Sequence, residues 1–285
     1  MGYKQPSYEE RITFYLGNII NGNINYNLLK NNINKLNTNN KNYNEKLKIL
    51  LIKTNNISNF SFYVGDNQHD KNIETLMKNR WCDNMGVILR CLNFSRHWTS
   101  YYNKPKDIPF DKKLNCVFWR GTTTGQQHRL GNRFNMIKKW FNKEENIDVG
   151  FSKICQGKNE YENYVKGKCG IHDFLKHKYI LSIEGNDKDS GINWKLNSNS
   201  VVLMPKPRVT SWLMETTLIP DYHYVLIKDD FSDLKEKVEW CDKNQDKCKE
   251  IIKNSNNFMD QFKDNEIEEK LETDVINKYF ELIKQ

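Results

Sequence analysis

Alanine is absent from this chain, and proline occurs only six times in 285 residues. Asn, Lys and Ile fill the composition instead. That bias is what an AT-rich coding sequence produces, so the Asn-rich stretch over residues 21–44 is compositional drift. No apolar run approaches the roughly 18 residues that cross a bilayer, so no transmembrane helix is expected. The opening MGYKQPSYEERITFYLGN has no apolar core segment, which argues against a secretory signal. Gly2 is followed by Pro6 where a myristoylation motif needs Ser or Thr. A cytoplasmic or otherwise intracellular location follows as the expectation.

The metal and nucleophile motifs are missing as well. The seven cysteines (Cys82, Cys91, Cys116, Cys155, Cys169, Cys241 and Cys248) form no CxxC pair, which argues against a zinc ribbon or a thioredoxin-like motif. Cys155 and Cys169 are the candidates for a bridge, but free thiols in a reducing compartment fit the odd count better. The six histidines show neither HxxxH nor HExxH, and no GxSxG elbow occurs. GxxxxGK[ST] and GxGxxG are both absent, so neither a Walker A loop nor a dinucleotide fingerprint is present.

What is there suffices for a sizeable core: 38% of the residues are hydrophobic, and the length suits one large domain or two small ones. The net charge of +8 favours anionic partners, although Lys is also the ordinary surface residue of this composition. Tryptophans are spaced like core or pocket residues and do not interleave with cations as a base-stacking platform would, so nucleic acid is not an expected partner. Helical spacing marks residues 8–20, 47–51, 130–142, 210–217, 233–243 and 246–262. Apolar runs mark strands at 60–64, 115–119, 147–151, 178–183, 201–204 and 223–227. Residues 67–114 show no clear pattern, and 103–110 resemble a linker. Strands alternating with helices predict an α/β fold with a parallel sheet covered on both faces, whose ligands bind outside the carboxyl ends of the strands.

Three strand ends carry chemistry. The first is VFWRGTTTGQQHR at 117–129, where glycines free the backbone, hydroxyls donate and cations attract: the make-up of a phosphate cradle. Arg129 and Arg133, four apart, are expected on one face of the following helix, reaching toward a diphosphate. The second is Glu184-Gly185-Asn186-Asp187-Lys188-Asp189-Ser190. Asp187 and Asp189 also spell D-x-D, a pair of hard oxygen ligands suited to Mg²⁺ or Mn²⁺. The third is Asp66, after FSFYV.

Together these stretches resemble glycosyltransferase family 90, the CAP10-like family. The likeness rests on VFWRGTTTG at 117–125 with Arg129 and Arg133, HKYILSIEGNDKDSGINWKLNSNSVVLMP at 177–205, and SWLMETTLIPDYHYVLIKDDFSDLKEKVEWC at 211–241. It spans residues 115–262, with a looser match at FYVGD, 62–66. The family includes fungal capsule xylosyltransferases, animal protein O-glucosyltransferases and bacterial lipopolysaccharide-modifying proteins. The resemblance implies a GT-B-like architecture of two Rossmann-like domains facing across a cleft. Residues 1–110 would form the acceptor side, 111–262 would bind the nucleotide sugar, and 263–285 would form a C-terminal helix. It implies inverting transfer of a hexose or pentose, glucose or xylose first, from a UDP-sugar to a hydroxyl of a glycan or protein. No cofactor or metal would be required. Asp66 would be the base, with Asp70 and Asp83 as alternatives. Arg120, Gly121, Thr122, Thr124, Arg129, Arg133, Glu184, Gly185, Asp187 and Ser190 would hold the nucleotide sugar, and Glu215 a ribose hydroxyl. Ile192 stands where many members carry Arg. The competing readings are an inactive sugar-nucleotide or glycan-binding module and a metal-dependent GT-A-type transferase using Asp187 and Asp189.

Overall fold

A computed structural model describes residues 3–31, 33, 36, 44–56, 58–63, 65–66, 72–81, 85–93, 106–157 and 159–284. The chain divides into two compact units. The first comprises Met1–Trp98, Arg208–Thr216 and Gln261–Gln285, the second Thr99–Pro207 and Thr217–Asp260.

In the first unit, helix α1 (Tyr8–Leu16) starts at a capping box. The Ser7 hydroxyl accepts from the Glu10 amide at 3.2 Å, and Glu10 accepts from the Ser7 amide at 2.6 Å, so two otherwise orphaned donors are satisfied. Helix α2 (Asn44–Lys53) buries Leu47, Leu50 and Leu51 on one face. Three short parallel strands follow: β1 (Ser61–Tyr63), β2 (Thr75–Met77) and β4 (Val87–Ile88), in the order β1-β2-β4. Strand β3 (Asn79–Trp81) pairs antiparallel with β9 (Val209–Ser211). Residues 210–217 are therefore not the helix their spacing suggested. Their start is committed to β3, Met214 takes a positive φ of 58°, and only a single 3-10 turn, Glu215–Thr217, remains. The last helix of the chain, Asn265–Ile283, is capped by Asp264 and tied to α1 by a buried Arg11–Glu268 ion pair at 2.7 Å.

The second unit is built on five parallel strands: β5 (Leu114–Thr122), β6 (Ile147–Lys153), β7 (His177–Leu181), β8 (Val201–Met204) and β10 (Val225–Leu226). Their order across the sheet is β10-β8-β7-β5-β6. The first strand in sequence has the second on one side and the third on the other. The winding thus reverses between β5 and β7, and a doubly wound sheet opens its ligand crevice there. Alternation along β5 serves both faces. Val117 and Trp119 pack with Phe134 and Ile137 of α3 (Arg133–Trp140), and with α6 (Leu234–Lys243) and α7 (Gln245–Asp260). Phe118 packs on the opposite face with Phe174 of α4 (Ile171–Leu175) and Trp194 of α5 (Ile192–Leu196).

The result is a mixed α/β protein with parallel sheets. Among the described residues no helix is long and apolar enough to cross a membrane. Cys155 and Cys169 are both free. Asp70, Asp83, Val64 and residues 103–105 of the expected linker lie outside the described residues.

Candidate functional site

The loops leaving β5 and β7 meet at the switch point. A register shift at Gly121–Thr122 ends the regular β5–β6 pairing and lets the chain turn. Gly121 packs under the Trp119 indole: a Cβ there would come within 2.5 Å of the ring. Gly125 has φ +98°, and its Cβ would meet the Gly185 carbonyl oxygen at 2.9 Å. Its amide donates to Asn186 Oδ1 at 2.7 Å. In return, a Cβ on Gly185 would lie 2.9 Å from Thr124 Oγ1 and 3.1 Å from Arg133 Cζ. The two glycines allow backbone to lie against backbone. The three threonines diverge: Thr122 and Thr124 place their hydroxyl oxygens 3.3 Å apart, whereas Thr123 is buried and bonds both the amide and the carbonyl of Cys155 at 2.7 Å.

Arg129 and Arg133 converge on the β7 exit from different elements. Asn132 caps α3 by accepting from the Asn135 amide at 2.8 Å, so the helix begins at Arg133 and Arg129 precedes it, a correction to the shared helix face. Arg129 donates to Glu184 at 2.8 Å and to the Gly185 carbonyl at 3.3 Å. Arg133 is buried and donates to the Ile183 carbonyl, the Thr122 carbonyl and Thr124 Oγ1, the last at 2.7 Å. Among the described residues no carboxylate bonds it. Burial pulls its pKa down, opposed only at a distance by Asp189 and Asp187. A buried guanidinium bonded solely to neutral oxygens leaves its charge uncompensated by contact, and an anion would relieve it.

Asp189 is committed elsewhere. Its carboxylate accepts from Ser182 Oγ at 2.7 Å, the Gly191 amide at 3.0 Å and the buried Lys195 ammonium. Burial works to raise this carboxyl, but Lys195 and then Arg133 hold it below the ordinary range. That chemistry is a counter-ion's rather than a metal ligand's. Asp187 contributes its carbonyl to the Gly185 amide at 2.9 Å, and Ser190 is exposed. Ser182 and Lys195 were not singled out from sequence, although a lysine inside the apolar INWKL run was a signal for a buried partner.

The chain matches the family model "Glycosyl transferase family 90" over residues 92–285. It is 33% identical over 227 residues to O-glucosyltransferase LpsA of Dichelobacter nodosus, covering 79% of this chain and 68% of that protein. This chain belongs to glycosyl transferase family 90. It is also 27% identical over 143 residues to protein O-glucosyltransferase 3 of Homo sapiens, spanning 50% of this chain and 27% of that protein. Over 89 residues it is 35% identical to uncharacterized protein 179R of Invertebrate iridescent virus 6, of which that stretch is 8%.

The protein is thus a glycosyltransferase, with a sugar donor and an acceptor as its substrates. The family match takes in both switch-point loops and stops short of Asp66. Three expected residues have bonded partners outside the two loops. Arg120 donates two hydrogen bonds to the Asp148 carboxylate on β6, both at 2.8 Å, and lies over the Phe118 ring. Glu215 is buried in the first unit and accepts from the Ser211 amide at 2.6 Å and hydroxyl at 2.7 Å. Asp66, also in the first unit, is half exposed and ion-paired with the buried Lys78.

Proposed function

We propose that this glycosyltransferase moves glucose, or secondarily xylose, from its UDP-sugar to a hydroxyl of a glycan or protein, with inversion and without a bound metal. The observation that carries the reading is Arg133, a buried cation without a bonded carboxylate, beside Thr124 and Gly125 at the switch point. The names of the relatives, both O-glucosyltransferases, favour glucose. Inverting transfer forms the acceptor O–C1 bond as the bond from C1 to the β-phosphate oxygen breaks. Arg133, Arg129 and the loop donors would stabilise the charge growing on the departing UDP. Asp66 would take the proton from the acceptor hydroxyl. A GT-B-like organisation is part of this reading.

The test has three arms. UDP should raise the melting temperature equally with and without EDTA, by linkage to the native state. Restoration by Mn²⁺ alone would favour the metal-dependent alternative. UDP-glucose should be turned over, and Asp66→Asn should lower kcat by roughly 10²–10⁴-fold, the contribution of a positioned base, with the UDP Kd within a few-fold. Tight UDP binding without turnover of any UDP-sugar would favour the inactive binding module.

A further inference from the structure

We propose that Lys78 is a positioning residue for transfer, holding the Asp66 carboxylate in place; the inference rests on the reading of Asp66 as the base. Strands β1 and β2 run parallel, with Tyr63 opposite Met77. Asp66 lies three residues beyond Tyr63 and Lys78 one residue beyond Met77, so both stand past the carboxyl ends of adjacent parallel strands. Parallel sheets present their functional groups at that edge.

The two side chains are unequally exposed. That of Lys78 is 4% exposed and that of Asp66 44%, with the ammonium on Asp66 Oδ1. The cation is inside and its partner carboxylate is reachable from solvent. A structural ion pair with no further task could be buried whole or exposed whole. Here the buried member anchors the accessible one. The Lys78 backbone is itself fixed: its carbonyl accepts from Asn93 Nδ2 at 3.0 Å, and β3 begins at the next residue. The neighbouring Arg80 donates to the carbonyls of Tyr15 and Gly86 at 3.2 Å. Asp66 follows Gly65, where a Cβ would collide with the Tyr63 ring, so the turn lies close over the end of β1. A carboxylate held by one oxygen in this way has its orientation set, and orientation is what a general base must have before its rate advantage is realised.

The experiment measures UDP release from UDP-glucose by the whole chain carrying Lys78→Met, Lys78→Arg, Asp66→Asn, or Asp66→Asn with Lys78→Met. Rates are normalised to the folded fraction found by thermal melting. Lys78→Met should lower kcat 10- to 100-fold while the KM for UDP-glucose stays within threefold. Lys78→Arg, which restores a cation, should recover most of the loss. The double variant should be no slower than Asp66→Asn alone, because the lysine acts through the aspartate. Where Lys78→Met does not fold, Lys78→Gln takes its place with the same expected kcat loss. Wild-type kcat in folded Lys78→Met, or a double variant slowed by the full product of the two single effects, would overturn the inference while leaving Asp66 as the base. Wild-type kcat in Asp66→Asn is a separate result: it removes the base reading, and this inference with it.

Discussion

Gly125 and Gly185 touch backbone to backbone at the sheet's switch point, the would-be Cβ of Gly125 lying 2.9 Å from the Gly185 carbonyl oxygen. The obstacle is main chain, which cannot swing aside, and the φ of +98° is hostile to any L side chain. Gly125→Ala should therefore cost roughly 2–4 kcal/mol, the sum of a strained dihedral and an overpacked contact. It should also weaken UDP binding, since the amide donating to Asn186 must move. Chemical denaturation and calorimetric titration with UDP check both effects. Unchanged stability would show that the two loops do not depend on this contact.

Arg129 and Arg133 should separate by what each loses. Arg129 is paired with Glu184 at the rim, so Arg129→Ala should weaken UDP binding by roughly 1.5–3 kcal/mol, the worth of a charge-assisted hydrogen bond. Arg133 ties Ile183, Thr122 and Thr124 together, so Arg133→Ala should lower both UDP affinity and melting temperature. Calorimetry with UDP decides: wild-type affinity in both variants would remove the phosphate role from these loops.

Asp189 offers a test between counter-ion and metal ligand. Removing one partner of a buried ion pair strands the other charge, a loss of about 3–5 kcal/mol. Asp189→Asn should therefore destabilise the protein through Lys195, whether or not Mg²⁺ or Mn²⁺ is present. Joint replacement, Asp189→Asn with Lys195→Met, should recover much of that loss, as read by urea denaturation. A stability loss that appears only in the presence of the metal ion would restore the D-x-D reading.

The second unit was largely legible because its strands carry buried apolar stretches that the sequence pattern identifies directly. Val201–Met204 matches its expected range, and helices α6 and α7 lie within two residues of theirs. The first unit was not. Its strands β2 to β4 are two or three residues long and lie among buried Glu74, Thr75, Lys78, Asn79 and Arg80. Polar residues buried by partners distant in sequence look like surface until those partners are placed. The same cause hid Lys195 behind Asp189. The turn after β5 was legible because glycines and threonines at a strand end mark a loop without tertiary knowledge. That Arg120 turns to Asp148 did need it, since Asp148 lies on the next strand.

Acid should destabilise the protein through His223. This imidazole is fully buried, and burial lowers its pKa to about 4 from an ordinary value of 6.5. Its Nδ1 accepts from the Ile219 amide at 2.9 Å, which requires the neutral ring. The unfolded chain binds a proton here below about pH 6.5 and the folded chain only near pH 4. Between those values the unfolded state holds more protons, so stability falls as pH falls. The contribution is complete above pH 6.5 and is lost progressively on the way down to about pH 4, at most about 1.4 kcal/mol per pH unit. Urea denaturation at pH 7.0 and at pH 4.5 should show this loss in the wild type. In His223→Gln, whose side chain does not titrate, the loss between the two pH values should be smaller. Carboxylates with lowered pKa, Asp148 and Asp189 among them, stay charged in the folded state until lower pH and add their losses at the acid end of the range, so the comparison is best made above pH 4.5. An identical pH dependence in the variant would assign the acid loss to those carboxylates and away from His223.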